Sequence, residues 1–356
     1  MKKIILLVLL CSFVKLLSAQ DPTFSQFNFN KLYLNPAFAG HNGGTSINFN
    51  NHSHLVRVPG DYRATSASID FQSPCNNFGL GFMGMNEKEG VIPLSRSSFG
   101  VSAAYIFDNL IKDKQGANNE VGLNFSLGFA LRYVNVNIDT DGAIFSSQLD
   151  HINGIISNTP NTQIMLTSKD YLDSDIGGVG VANFRNGDNL TVGVSLSHLA
   201  MTNPDESLQN RGVRRPAKYT VYGGYYKPFK IAKARFALSP HVLFNKQNQL
   251  ESLTIGTYLS GNVTSEGSTG VYLGFFYQNT WYPSFQDANS FIINVGVNDI
   301  QPIGSKAVFS FGYSTDIPNR GLNLGTSHEI SIRINFPDFS IMCPSGSGRI
   351  YVCPSF

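Results

Sequence analysis

Between residues 45 and 336 the chain alternates apolar and polar positions singly, the period of strands with one face in an apolar medium. From Val121 to Tyr133 every odd position is Val, Leu, Phe or Tyr, and every even position is small or polar up to Arg132. Ile330, Ile332, Ile334 and Phe336 repeat the rule against Ser331, Arg333 and Asn335. The pattern predicts fourteen strands, near 45–56, 62–72, 77–86, 97–107, 119–137, 175–185, 189–198, 217–229, 233–245, 250–261, 269–279, 289–298, 306–315 and 327–336. Most run about 9–12 residues, the length a tilted strand needs to cross a bilayer, against about 5–6 in globular sheets. A soluble sandwich is the rival reading, but the polar face here is small and wet rather than charged, as barrel lumens tend to be.

The expected fold class is therefore all-β: a single transmembrane antiparallel β-barrel of the outer-membrane type. An even strand number brings both ends of the wall to one rim. Connections after even strands are mostly short, as at Ser73–Asn76 and Asn186–Asp188, whereas the two longest, near 138–174 and 199–216, follow odd strands. Short turns are periplasmic in such barrels. This places the N-terminal segment and the C-terminal tail on the periplasmic side. The expected organisation is a signal peptide at 1–19, a periplasmic segment at 20–44, the barrel at 45–336 and a tail at 337–356.

Composition sharpens this picture. Only 14 % of residues are charged, against about a quarter in soluble domains. The balance of 26 Lys and Arg against 24 Asp and Glu offers no basic surface for nucleic acid. Lys2 and Lys3 followed by the apolar run from Ile4 form a signal peptide, with cleavage after Ser18-Ala19. No later run reaches the ~18 apolar residues of a spanning helix. Cys75, Cys343 and Cys353 remain in the mature chain. Cys343 and Cys353, each before a Pro and bracketing a Gly/Ser turn, are the candidate disulfide, leaving Cys75 as a free thiol.

Candidate chemistry is sparse. Asn137, Asp139 and Asp141 with Gly142 resemble the first half of a calcium loop, but Gln148 stands where a bidentate acid is expected. Asp/Asn/Gly clusters also mark ordinary turns, which is the simpler reading. His52 and His54 share a strand face without an identifiable third metal ligand. Arg211, Arg214 and Arg215 form a basic loop that reads as a solvated surface. Ser195, Ser197 and His198 lie close in sequence, yet strand alternation puts Ser197 and His198 on opposite faces with no acid to orient the imidazole. No nucleophile elbow, phosphate loop or zinc-protease motif is present. The expectation is a non-enzymatic protein without a cofactor.

Residues 20–40 read QDPTFSQFNFNKLYLNPAFAG. Pro36 holds Asn35 extended, the Asn35 side chain can cap the turn, and Gly40 releases the chain towards the first strand. Phe24, Phe27, Tyr33 and Phe38 are apolar anchors that predict packing in the periplasmic mouth of the barrel. The block strongly resembles the opening of the PorP/SprF family of the Bacteroidetes type IX secretion system. The matching residues are Gln20, Asp21, Pro22, Phe24, Ser25, Gln26 and Phe27, then Leu34, Asn35, Pro36, Ala37, Phe38, Ala39 and Gly40.

That resemblance implies an outer-membrane component, set among outer-membrane lipid, that supports export or surface anchoring of specific cargo such as gliding adhesins. It also implies contact with periplasmic type IX machinery or peptidoglycan-binding subunits, and it supplies no catalytic residues. The competing reading is a general channel for small solutes, with Arg132 and Arg333 lining its lumen.

Overall fold

The structure is a computed structural model that describes residues 21–54, 60–73, 77–91, 94–107, 121–139, 149–150, 154–155, 168–199, 215–231, 234–262, 269–281, 288–301, 306–319 and 325–337. Its wall strands are β1 (Thr45–His54), β2 (Tyr62–Ser73), β3 (Phe78–Glu89), β4 (Leu94–Phe107) and β5 (Val121–Ile138). A two-stranded ribbon follows, β6 (Leu149–Asp150) and β7 (Gly154–Ile155). The wall resumes with β8 (Ser168–Phe184), β9 (Asn189–Ser197), β10 (Lys218–Ile231), β11 (Ala234–Gln247) and β12 (Leu250–Asn262). It ends with β13 (Gly270–Trp281), β14 (Ala288–Ile300), β15 (Val308–Pro318) and β16 (Ser327–Phe336).

Each wall strand pairs antiparallel with its chain neighbours, β5 pairs with β8, and β1 pairs with β16 to close the cylinder. Fourteen strands thus form one closed barrel, as the alternation predicts. Closure matters because strands this long would otherwise present an unpaired edge. The alternation sorts as expected on the outer face: Leu127, Phe129, Leu131 and Tyr133 of β5 and Ile330 and Ile332 of β16 are exposed. An apolar belt facing outward and a closed ladder are the arrangement that satisfies backbone groups in lipid. No helix among the described residues is long and apolar enough to cross a membrane.

Two sequence expectations need correction. Strand β8 begins at Ser168, seven residues before the predicted start. Its first stretch, Ser-Lys-Asp-Tyr-Leu-Asp-Ser, carries charges that hide the period. Asp173 and Asp175 face inward there and are held by partners from other elements, so the ladder continues. The lumen is also not uniformly wet. Val179, Val181, Tyr222, Leu243, Tyr258, Tyr272, Phe276 and Ile292, spread over β8 to β14, point inward and are buried in one apolar cluster. These residues need a partner inside the barrel, and residues 21–44 supply it.

Candidate functional site: the segment in the lumen

The N-terminal segment is expected at one mouth of the barrel; in the structure it runs the length of the lumen. Gly44 leads into β1 at the near rim, the rim that also carries Phe336. Asp21 sits at the far rim, among Arg215, Lys218, His198 and Gln247, which lie at the ends of β9, β10 and β11. The two ends of the described wall-and-segment chain, Asp21 and Phe336, are therefore on opposite rims. Local sequence explains the path. One helical turn, α1 (Lys31–Leu34), is stopped at Asn35, whose extended backbone precedes Pro36. The Asn35 Oδ1 accepts from Ala37 N at 2.9 Å and so caps the 3-10 turn Pro36–Phe38.

Phe27, Phe29, Leu34, Ala37 and Phe38 enter the apolar cluster with the inward wall residues. Phe27 meets Tyr222 and Phe276 edge-on at ring distances of 6.0 and 5.8 Å. Leu32 and Ala39 pack on Met83 and Ala104, and Phe24 on Met85 and Ala64. Burying each large side chain stabilises the docked segment by roughly 1.5–3 kcal/mol. The wall has room because several inward positions lack side chains, Gly79, Gly128, Gly177 and Gly312 among them. A β-carbon at Gly128 would lie 2.3 Å from Ala37 N, and one at Gly177 would lie 2.0 Å from Asn35 Oδ1.

Polar groups then set the register. Asn35 Nδ2 donates to the carbonyls of Gly178 and Val194, and Ser126 and Ser195 donate to the carbonyls of Ala37 and Leu34. Glu329, fully buried, accepts from Ser25 N at 2.6 Å and from Gln26 N at 3.3 Å, and it pairs with His52. Ser25 Oγ donates to Asp316, and Gly40 N donates to Asp70. Arg333 is bonded to Asn48 and to the Asn28 carbonyl, with its guanidinium 4.7 Å from the Phe29 ring centre.

The far rim holds a nest of buried charge. Asp21 is paired with Arg215, with His198 Nε2 at 2.9 Å and with Lys218 Nζ at 3.6 Å. Gln247 accepts from Asp21 N and donates to its carboxylate. Asp173 takes the other imidazole nitrogen of His198, Arg132 pairs with Asp175, and Arg96 with Glu87 at 2.8 Å. Burial pushes the Asp21 carboxyl up, but Arg215, His198 and Lys218 together outweigh it and hold it well below its usual range. Burial lowers His198, yet Asp21's charge and the hydrogen bonds to Asp173 and Asp21 leave it above its ordinary 6.5.

These placements revise several sequence readings. Arg215 is not a solvated loop residue but a buried partner of Asp21, while Arg211 and Arg214 lie outside the described residues. His198 is not turned away from Ser197 and is not without an acid. Its φ of +64° breaks the alternation, so both residues are buried and two carboxylates hold the ring. With both nitrogens engaged and Ser195 bonded to Leu34, the imidazole bridges charges rather than activating a serine. Arg132 and Arg333 do not line an open lumen, since each is buried against a partner. His52 and His54 share the inner face with rings stacked at 6.1 Å, His52 on Glu329 and His54 on Ser327. Asp173, Asp175 and His198 converge within 4.8 Å, a spacing a cation could use. Arg132 already neutralises that corner.

Asn137 is an extended residue of β5 paired with Ser95 and Ser168, and Asp139 follows the strand. Gln20, Asp141, Cys75, Cys343, Cys353 and the signal segment lie outside the described residues. Sequence reasoning missed Glu329, Lys218 and Gln247 as partners of the segment, and Asp173 as the partner of His198. Glu329 carried a signal: it is a lone acid on the polar face of an isoleucine-alternating strand.

The Pseudomonas putida F1 COG4313 outer membrane channel is similar over 82% of this chain and 96% of its own, at 11% identity and a TM-score of 0.40. A Pseudomonas aeruginosa FadL homologue is similar over 82% of this chain and 89% of its own, at 9% identity and a TM-score of 0.44. No curated protein matches the chain. The family model described as type IX secretion system membrane protein PorP/SprF matches residues 16–334. With a closed barrel, an apolar belt and this match over most of its length, the chain belongs to the PorP/SprF family of type IX secretion system membrane proteins and is an outer-membrane protein.

Proposed function

We propose that this protein is a non-enzymatic type IX secretion component that supports export or surface anchoring of specific cargo and engages periplasmic machinery. Gliding adhesins are the cargo class suggested by the family resemblance. The observation that carries the reading is the filled lumen: an inward apolar cluster and a set of directed hydrogen bonds are spent on the protein's own N-terminal segment. A general solute channel has no use for an occupied interior. In this reading the near rim faces the periplasm, because the long β5–β8 and β9–β10 connections lie at the other rim. Phe336, the last residue of the wall, then faces the periplasm, and Asp21 lies towards the cell surface.

Deleting the gene and comparing secreted and surface proteins is the test. Loss of a defined subset of exported proteins is the expected result. An unchanged surface proteome, together with a large steady current from the purified barrel, would sink the reading.

A further inference from the structure

The lumen segment is held by different forces along its length. Residues 27–38 carry most of the apolar anchors, whereas residues 21–26 insert Pro22 and Phe24 and otherwise rely on charge and hydrogen bonds. Thr23 is exposed, and a cavity of about 30 Å³ lies between this tip and the wall, bounded by Pro22, Phe27, Thr220 and Leu243. That volume is room for water. The tip is thus held chiefly by polar contacts and the middle of the segment chiefly by apolar ones.

Asp21 is also gripped in the manner of a bound ligand. Gln247 reads its main-chain N–H and its carboxylate at once, while Arg215, Lys218 and His198 surround the carboxylate. Removing Asp21 would leave four cations in the nest, Arg96, Arg132, Arg215 and Lys218, facing only Glu87, Asp173 and Asp175. The surplus is positive, so the vacated site selects an anion, and the main-chain contact favours one borne on a peptide.

We propose that the far-rim nest is a carboxylate-reading peptide site, filled in cis by Asp21, and that an acidic segment of a partner polypeptide displaces residues 21–26 from it. The tethered occupant acts at a high effective concentration, so exchange requires a partner presented close to the rim. The inference is tested on purified protein and stands or falls apart from the secretion reading.

The probe is the fluorescein-labelled peptide Asp-Pro-Thr-Phe-Ser-Gln with both ends blocked, followed by anisotropy on the full-length protein in micelles. Asp21→Asn is expected to bind it at least about tenfold more tightly than the unaltered protein, whose own tip competes. A peptide with Asn in place of Asp should lose about tenfold on that variant, as should Asp21→Asn combined with Arg215→Gln and Lys218→Gln. Equal binding to both proteins, or to both peptides, overturns the proposal. If Asp21→Asn fails to fold, a Phe24→Cys variant serves in its place. Excess acidic peptide should then speed maleimide labelling of the thiol about tenfold while the Asn peptide does not; an unchanged rate overturns the proposal.

Discussion

Gly177 and Glu329 show how single positions decide whether the lumen accepts its segment. At Gly177 any β-carbon would collide with the Asn35 side chain, whose two carbonyl bonds tie the segment to β8 and β9. Gly177→Val should therefore keep the barrel but expel the segment around Asn35, raising proteolysis between Phe24 and Phe38 by an order of magnitude or so. Unchanged protease resistance would mean that the wall yields instead. Glu329 is a different case, because it accepts from two main-chain N–H groups while fully buried. Glu329→Gln places an amide N–H against donors and should cost about 2–3 kcal/mol, read as a lower urea midpoint in micelles.

The lumen segment as an element combines an apolar middle with a charged tip, so the two parts respond to different variables. Changes of pH should act on the tip. His198, raised above 6.5, contributes fully below that value and loses its contribution as pH climbs through the raised one. Asp21, depressed below 3.8, contributes fully above that value and loses it only as pH falls through the depressed one. The tip is thus held most firmly between those two ordinary values and loosens on the alkaline side. Maleimide labelling of Phe24→Cys should accelerate between about pH 5.5 and about pH 8.5 more than in the same variant carrying His198→Gln. An identical pH profile in the two proteins would remove His198 from the attachment.

At the scale of the whole molecule, a closed wall surrounds an interior occupied by the protein's own residues 21–44, and the proposed role as a holder predicts the electrical behaviour. Planar-bilayer recording of the intact protein should show no large steady current. Removing residues 24–40 should give a steady open-pore current in proteins that still show the heat-modifiable migration of a folded barrel. Fourteen strands around a lumen leave room for water once its contents are gone. A silent truncated barrel would argue that the inward apolar residues of β8 to β14 collapse on one another.

The wall was legible in the chain because its cause is local: period two, strand length and turn residues act between near neighbours. Fourteen strands and an outward apolar belt follow from that pattern. The motif at residues 20–40 was also legible as a block, down to Asn35 capping the turn before Pro36. What surrounds that block was not. The inward Tyr222, Tyr258, Tyr272 and Phe276 read as noise on a polar face until the segment they pack against is in place. Early β8 and Arg215 read as loop and solvent because their charges are satisfied by residues far along the chain, Asp21 above all. Neighbouring residues determine a strand; which charges may be buried, and what fills the barrel, depend on partners that only closure of the wall brings within a few ångströms.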